Sequence, residues 1–157
     1  MENNSQFDNN FESESEQLNK YLAFNIGDEI YGIFVKNINE IIGMRSFTAL
    51  PNVPKFIKGL INLRGNVFPL IELRERIGLQ KIPYTSKTCI IIVSFNQYSV
   101  GLIVDNVLEV VDIDIKKSIP PPQTYKGTQS KYIQSISKID NDEVIILLDI
   151  EKLLISQ

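Results

Sequence analysis

The stretch from residue 54 to residue 73, PKFIKGLINLRGNVFPLIEL, constrains the fold of this chain more than any other segment. Most of its residues are apolar, but prolines and glycines interrupt them every few positions: Pro54, Gly59, Gly65 and Pro69. Because such residues break helices, no helix can run through it. We therefore predict two short strands that meet at a bend at Gly65, with the permanent charge of Arg64 just before the bend.

The rest of the chain also consists of short apolar runs separated by turn residues. Strand patterns cover residues 20–26, 30–35, 60–63, 67–73, 88–95, 98–104, 132–139 and 143–150. Residues 103–113 fit either a helix or a strand, and their Val and Ile content favours a strand. The spacing of Val35, Ile38 and Ile42 suggests a short helical stretch, and Pro69 is expected on an edge strand. The sum predicts an all-β fold, a sandwich or barrels, with a few short helices.

The charge is distributed unevenly along the chain. Residues 1–18 carry five acidic side chains and no Lys or Arg, so we expect a disordered acidic tail there and a single ordered domain over residues 19–157. Residues 45–76 carry six basic and two acidic side chains, an excess that an ordinary solvated face would explain. With a net charge of -3 and a pI near 5.0, nothing indicates nucleic-acid binding.

The sequence also predicts where the protein works. Its single cysteine, Cys89, rules out an internal disulfide, and its apolar neighbours suggest an inert buried thiol. The N-terminus has neither the basic start nor the apolar core of a secretory signal, and no apolar run is long enough to span a bilayer. We expect a cytoplasmic protein that does not insert into a membrane.

Residues that usually carry catalysis or bind cofactors are missing. The chain has no histidine, which removes Ser-His-Asp and Cys-His arrangements and ordinary histidine metal sites. The glycines match neither nucleotide-binding fingerprint. The acidic residues at 140–143 lack the spacing of a calcium loop and are interpreted as a solvated turn. We predict a non-enzymatic protein without a metal site or cofactor.

Residues 20–155 resemble CheW, the coupling-protein family of bacterial chemotaxis. Five pieces carry the resemblance, in the same order and spacing as in that family: YLAF with GDEIYGI at 21–33, NEII at 39–42, PNVPKFIKGLINLRG at 51–65, GLIVD at 101–105 and LDIEKLL at 148–154. Within the third piece, the pattern PxxxxGxxNLRG is specific to the family. The resemblance therefore extends over nearly all of the chain that we expect to be ordered.

The resemblance implies both a fold and a function. The fold would be two intertwined five-stranded β-barrels with a groove between them. The function would be that of an adaptor that joins the cytoplasmic tip of methyl-accepting chemoreceptors to the regulatory domain of the histidine kinase CheA. Such an adaptor would be recruited from the cytoplasm to receptor arrays at the membrane.

The resemblance also implies site residues. Three positions match the receptor-facing groove of the family: Ile38, Arg64 and Val110. Four more would support them: Glu40, Lys58, Gly59 and Gly65. Glu40 is expected to pair with Arg64 or Lys58 and to hold that side chain in place. From the residues alone, Ile38 and Val110 equally fit ordinary core positions, Arg64 fits an exposed ion pair, and the glycines fit positions that the backbone requires.

Three alternatives remain open at the level of sequence. The same module serves related signalling pathways, and sequence does not separate these from chemotaxis. A β-barrel that binds extended peptides is a different class, which would bind such peptides rather than helical receptor tips. An enzyme is the third candidate, and the missing histidine argues against it.

Overall fold

The computed structural model describes residues 20–122 and 130–155, in which the chain forms ten strands and two short α-helices. The strands are β1 Lys20–Ile26, β2 Glu29–Phe34, β3 Ile38–Gly43, β4 Ile57–Leu63, β5 Asn66–Glu72, β6 Cys89–Phe95, β7 Tyr98–Val104, β8 Asn106–Asp112, β9 Ile133–Lys138 and β10 Val144–Leu148. The helices are α1 Leu73–Arg76 and α2 Ile150–Ile155. The predicted all-β fold is confirmed. The predicted tail, residues 1–18, lies outside the described residues.

The strands form two five-stranded sheets, and the chain enters one of them twice. The first sheet has the order β8-β1-β2-β10-β9 and the second the order β3-β6-β7-β5-β4. All strands of the second sheet therefore lie between β2 and β8 in sequence, inserted into the first sheet. Most neighbouring strands are antiparallel, whereas β10 runs parallel to β2 and β7 runs parallel to β5. This insertion is the intertwining that the resemblance implies.

Each sheet encloses an apolar cluster of its own. The cluster of the first sheet contains Tyr21, Ala23, Ile113, Ile145 and Leu147. The cluster of the second contains Ile42, Ile61, Leu63, Leu70, Ile90, Ile92 and Ile103. The residues that alternate with these along each strand point to the opposite face, as strand geometry requires. They meet in a central cluster that holds the two sheets together. It contains Phe24 and Tyr31 from the first sheet and Ile91 and Leu102 from the second. Because both faces of β6 are buried, its sequence is a continuous apolar run rather than an alternation.

The two sheets curl like barrels, but their hydrogen-bonded ladders remain open. In the second sheet, the edge strands β3 and β4 are linked where Thr48, just after β3, exchanges backbone hydrogen bonds of 2.9 and 2.8 Å with Leu60. In the first, Ile119, after β8, does the same with Ile136 of β9, at 2.9 and 2.8 Å. Each five-stranded lobe is thus an open sheet whose two edges are joined by one bridged residue pair, and we call the line between those edges the seam.

Two local predictions need correction. Residues 35–42 contain only a 3₁₀ turn at Val35–Asn37, after which Ile38–Gly43 is a strand, because pairing with β6 overrides the weak helical spacing. Pro69 lies in β5, which is flanked on both sides by other strands and is not an edge strand. The strand tolerates proline there because its ladder to β7 begins only at Leu70. The strand predicted within residues 103–113 is confirmed as β8.

Asp105 links the two sheets at the point where the chain passes from β7 to β8. Its Oδ2 accepts hydrogen bonds from the amide of Gly27, in the β1–β2 turn, at 2.8 Å and from Nη2 of Arg74 at 2.5 Å. Its Oδ1 accepts from Nε of Arg74 at 3.0 Å. Burial alone would raise the pKa of Asp105, but the hydrogen bonds from Arg74 and Gly27 outweigh it, and the pKa lies below its ordinary value. The charged carboxylate therefore stabilises the folded chain.

We predict that Asp105→Asn lowers the free energy of unfolding by about 1–2 kcal/mol near neutral pH, because the bidentate pair with Arg74 is lost. The pKa of Asp105 is lower in the folded than in the unfolded chain, where it is about 4. Its contribution is therefore fully present above the unfolded pKa and is lost as pH falls through the folded pKa. Urea unfolding at several pH values should show the parent and the variant converging in acid.

Asp112→Asn is the matched control for this prediction. Its carboxylate is also paired, to Lys20 at 3.0 Å, but the side chain is 75% exposed. Exposed pairs contribute little, so this variant should follow the parent at every pH. A constant difference between the parent and Asp105→Asn across the acid range would show that the charge of Asp105 does not stabilise the fold.

Candidate functional site

Arg64 occupies a tight two-residue turn that joins β4 to β5. Leu63 pairs with Asn66 across the hairpin, which leaves Arg64 and Gly65 as the loop. Both have positive φ, 52° and 85°, the combination of a type I′ turn whose twist matches that of the flanking strands. Gly65 adopts this conformation readily, whereas Arg64 does so at some cost in strain. The predicted bend at Gly65 is therefore present, and it displays the Arg64 side chain, which is 69% exposed.

The side chain of Asn62 forms a hydrogen bond with the backbone of this turn. Its Oδ1 accepts a hydrogen bond from the amide of Gly65 at 3.0 Å. The amides of the two loop residues lie outside the strand ladder, so a nearby side-chain acceptor stabilises the turn. The sequence analysis did not single out Asn62, although asparagine three residues before a turn glycine is a recognisable signal.

Arg64 forms an ion pair with Glu40 across the seam of the second sheet. Nη2 of Arg64 donates to Oε2 of Glu40, which lies on β3, the opposite edge of that sheet from β4. This hydrogen bond and the negative charge of Glu40 raise the pKa of Arg64. Of the two partners expected for Glu40, the structure therefore selects Arg64. The pair lies over the same seam that the Thr48–Leu60 bridge closes.

Lys58 has a different partner. Its Nζ contacts Oε1 of Glu75 on α1, whose side chain is almost completely buried, and Nζ of Lys55 lies 3.6 Å from the other oxygen of the same carboxylate. The Lys58 side chain is itself only 16% exposed. The structure therefore does not bring Lys58 together with Glu40 and Arg64.

A β-bulge in β3 separates Ile38 from Glu40. Ile38 pairs with Val93 and Glu40 pairs with Ile92, so two steps along β3 match one step along β6. Directly paired residues share a face, which puts Ile38 on the side of the central cluster and Glu40 on the side enclosed by the second sheet. Asn39 helps to hold the bulge, since its Nδ2 donates to Oγ of Ser94 at 2.6 Å. Sequence alternation alone would have put Ile38 and Glu40 on one face.

Ile38 and Val110 lie on edge strands of different sheets, both facing the side of the central cluster. Ile38 is half-buried and packs against that cluster. Val110 pairs with Leu22, a member of the cluster, yet it is 51% exposed. Ile41, which pairs with Ile91, is 43% exposed on the same side of β3 and was not singled out from the sequence. We call Ile38, Ile41 and Val110 the edge-strand surface; Val110 is not a core residue.

Gly59 is a backbone requirement rather than a contact residue. It is buried, and a Cβ at this position would overlap the carbonyl oxygen of Thr48 and come within 2.7 Å of its carbonyl carbon. The close approach of β4 to residue 48 across the seam therefore needs glycine. Gly65 differs, since a Cβ there would meet no atom within 4 Å and only its positive φ requires glycine.

The structure places few reactive groups together. Among residues 20–122 and 130–155, no cluster of three or more His, Cys, Asp or Glu side chains is arranged to hold a metal ion. Cys89 is half-buried, and its thiol donates to the carbonyl of Lys87 at 3.2 Å. Burial raises the pKa of Glu72, whose Oε2 accepts a hydrogen bond of 2.7 Å from the Tyr84 hydroxyl. Neither described helix is long enough to cross a membrane.

Comparisons with known proteins find close relatives over most of the chain. The family model for the CheW-like domain matches residues 20–157. The chemotaxis protein CheW of Klebsiella aerogenes is 36% identical over 138 residues, which cover 88% of this chain and 82% of that protein. The chemotaxis protein CheW of Helicobacter pylori is 33% identical over 143 residues, which cover 91% of this chain and 86% of that protein.

A solved structure shows the same fold. The crystal structure of the scaffolding protein TtCheW from Thermoanaerobacter tengcongensis matches this chain with a TM-score of 0.79 and 36% sequence identity. The match covers 86% of each chain, so it includes both sheets rather than one lobe.

Proposed function

The chain belongs to the CheW-like family, and we propose that it is a non-enzymatic adaptor that couples chemoreceptor tips to the histidine kinase CheA in bacterial chemotaxis arrays. One observation carries this proposal: the family model matches the whole of residues 20–157. Relatives at 36% and 33% identity are named chemotaxis protein CheW, and the matching solved structure is described as a scaffolding protein. We propose that residues 19–157 form the adaptor domain.

We propose that the edge-strand surface and Arg64 contact the cytoplasmic tip of the receptor. The exposed fractions of Val110 and Ile41 support this, because half-exposed aliphatic side chains beside a core offer area that a helical partner would bury. Arg64 supports it differently: a guanidinium on a rigid turn offers forked donors to carboxylates and carbonyls on such a tip. Glu40 would orient Arg64 until the receptor binds.

The kinase would bind elsewhere. An adaptor that holds receptor and kinase together needs two separate surfaces, so we propose that the regulatory domain of CheA contacts a surface distinct from the edge-strand surface and Arg64. The protein would work in the cytoplasm, recruited to arrays of membrane receptors, without a cofactor, metal, nucleic acid or membrane insertion of its own.

We predict that a receptor tip fragment and the CheA regulatory domain bind at the same time and lose binding independently. Val110→Ala should weaken receptor binding several-fold through lost apolar contact and leave kinase binding unchanged. Ile82→Ala is the control, since Ile82 is also an exposed aliphatic side chain, 39% exposed, but lies in the connection between α1 and β6 rather than on β3 or β8, and it should not change receptor binding. Isothermal titration of each partner, with and without the other at saturation, measures both effects.

Other outcomes favour the alternatives. Competition between the receptor fragment and the kinase domain for one site would rule out the adaptor arrangement. Binding of extended peptides in place of the helical tip would indicate a peptide-binding barrel. Binding only to receptors and kinases of a pathway other than chemotaxis would indicate that the protein is an adaptor in that other pathway.

A further inference from the structure

Arg64 has a backbone conformation that its own side chain does not favour. Its φ of 52° lies in the left-handed region, which is strained for most residues other than glycine and asparagine. The ion pair with Glu40 adds little to hold it there, because the Arg64 side chain is 69% exposed and exposed pairs are weak. Something else in the hairpin must favour the turn.

Asn62 supplies that stabilisation. Its Oδ1 accepts from the Gly65 amide at 3.0 Å, and Gly65 is the second residue of the two-residue loop in which Arg64 is the first. In a turn with a different backbone conformation this amide would point elsewhere and the hydrogen bond would be lost. The contact therefore stabilises the conformation in which both loop residues have positive φ.

We infer that Asn62 is the positioning residue for Arg64: it fixes the turn so that the guanidinium projects over the seam toward Glu40 and the receptor. This inference rests on the proposed function, because it gives Arg64 its role at the receptor. Asn62 itself need not touch the receptor. It holds the free protein in the turn conformation that presents Arg64. Without this restriction, the free energy needed to select that conformation would weaken receptor binding.

The test is a double-mutant cycle on receptor-fragment binding, measured by isothermal titration. Asn62→Ala should weaken binding about threefold to tenfold, the effect of losing one hydrogen bond that holds the turn. In the Arg64→Ala background the same change should have no further effect, since no guanidinium remains to be positioned. Asn62→Asp, which keeps an acceptor oxygen at the same place, should retain most of the binding. Equal weakening by Asn62→Ala in both backgrounds would overturn the inference.

A second measurement does not depend on the receptor. Hydrogen exchange of the Gly65 amide should be slow in the parent and in Asn62→Asp and fast in Asn62→Ala, with unchanged protection in β6 and β7. Unchanged Gly65 protection in Asn62→Ala would also overturn the inference. If the parent protein fails to bind receptor while the Gly65 amide responds as expected, the proposed function fails and the role of Asn62 in the turn stands.

Discussion

Arg64→Ala is expected to weaken receptor binding by about 1–3 kcal/mol, roughly five- to 150-fold, and to leave the protein folded. The variant removes the forked donor that the turn displays. The loss of binding is large because removal of a charged hydrogen-bonding group from an interface leaves its partner groups unpaired. The loss of stability is small because the pair with Glu40 is solvent-exposed on the arginine side. Titration with a receptor tip fragment and thermal unfolding measure the two effects.

Two further variants separate charge, geometry and apolar contact in this experiment. Arg64→Lys should restore only part of the binding, because lysine keeps the charge and loses the fork. Ile38→Ala should also weaken binding, with some loss of stability, since Ile38 packs against the central cluster. If Arg64→Ala is well folded and binds the receptor like the parent, Arg64 is not a receptor contact.

Gly59→Ala is expected to destabilise the protein by on the order of 3 kcal/mol or more. A methyl group at this position overlaps the carbonyl oxygen of Thr48 and lies 3.0 Å from Cα of Ala49, and backbone atoms cannot move aside as a flexible side chain can. Relief of the overlap would break the Thr48–Leu60 bridge that closes the seam of the second sheet. Chemical denaturation gives the change in the free energy of unfolding.

Gly43→Ala is the control for Gly59→Ala. A Cβ at Gly43 would meet no atom within 4 Å, and the φ of this residue is not positive. The substitution should therefore change the free energy of unfolding by less than about 0.5 kcal/mol. Comparable effects of the two substitutions would mean that close approach across the seam is not what requires glycine at position 59.

Much of the fold was predictable because short apolar runs between turn residues are compatible with few structures other than β-strands. The apolar run at 88–95 predicted a strand buried on both faces, and β6 is such a strand because it lies between the second sheet's own cluster and the central cluster. The hairpin at Arg64 and Gly65 was predictable from a glycine between two apolar runs. The position of Pro69 was not, because it depends on where the parallel ladder with β7 begins, which no local pattern encodes.

The candidate site was predictable only in part, for similar physical reasons. The pairing of Arg64 with Glu40 followed from the charges, but its location across the seam depends on how the sheet curls. The bulge that turns Ile38 and Glu40 to opposite faces depends on a register shift against β6 and on the contact from Asn39 to Ser94. Lys58 was expected near Glu40, and its actual partner, the buried Glu75, lies in a helix that only the folded chain brings close.

Three-component sedimentation shows whether this protein holds receptor and kinase together. Receptor cytoplasmic fragments assembled on vesicles are pelleted with CheA in the presence and absence of this protein, and the kinase in the pellet is measured. We predict that the kinase pellets with the receptor only when this protein is present, and that Arg64→Ala lowers the amount pelleted. Equal amounts of kinase in the pellet with and without this protein would show that it does not couple the kinase to the receptor.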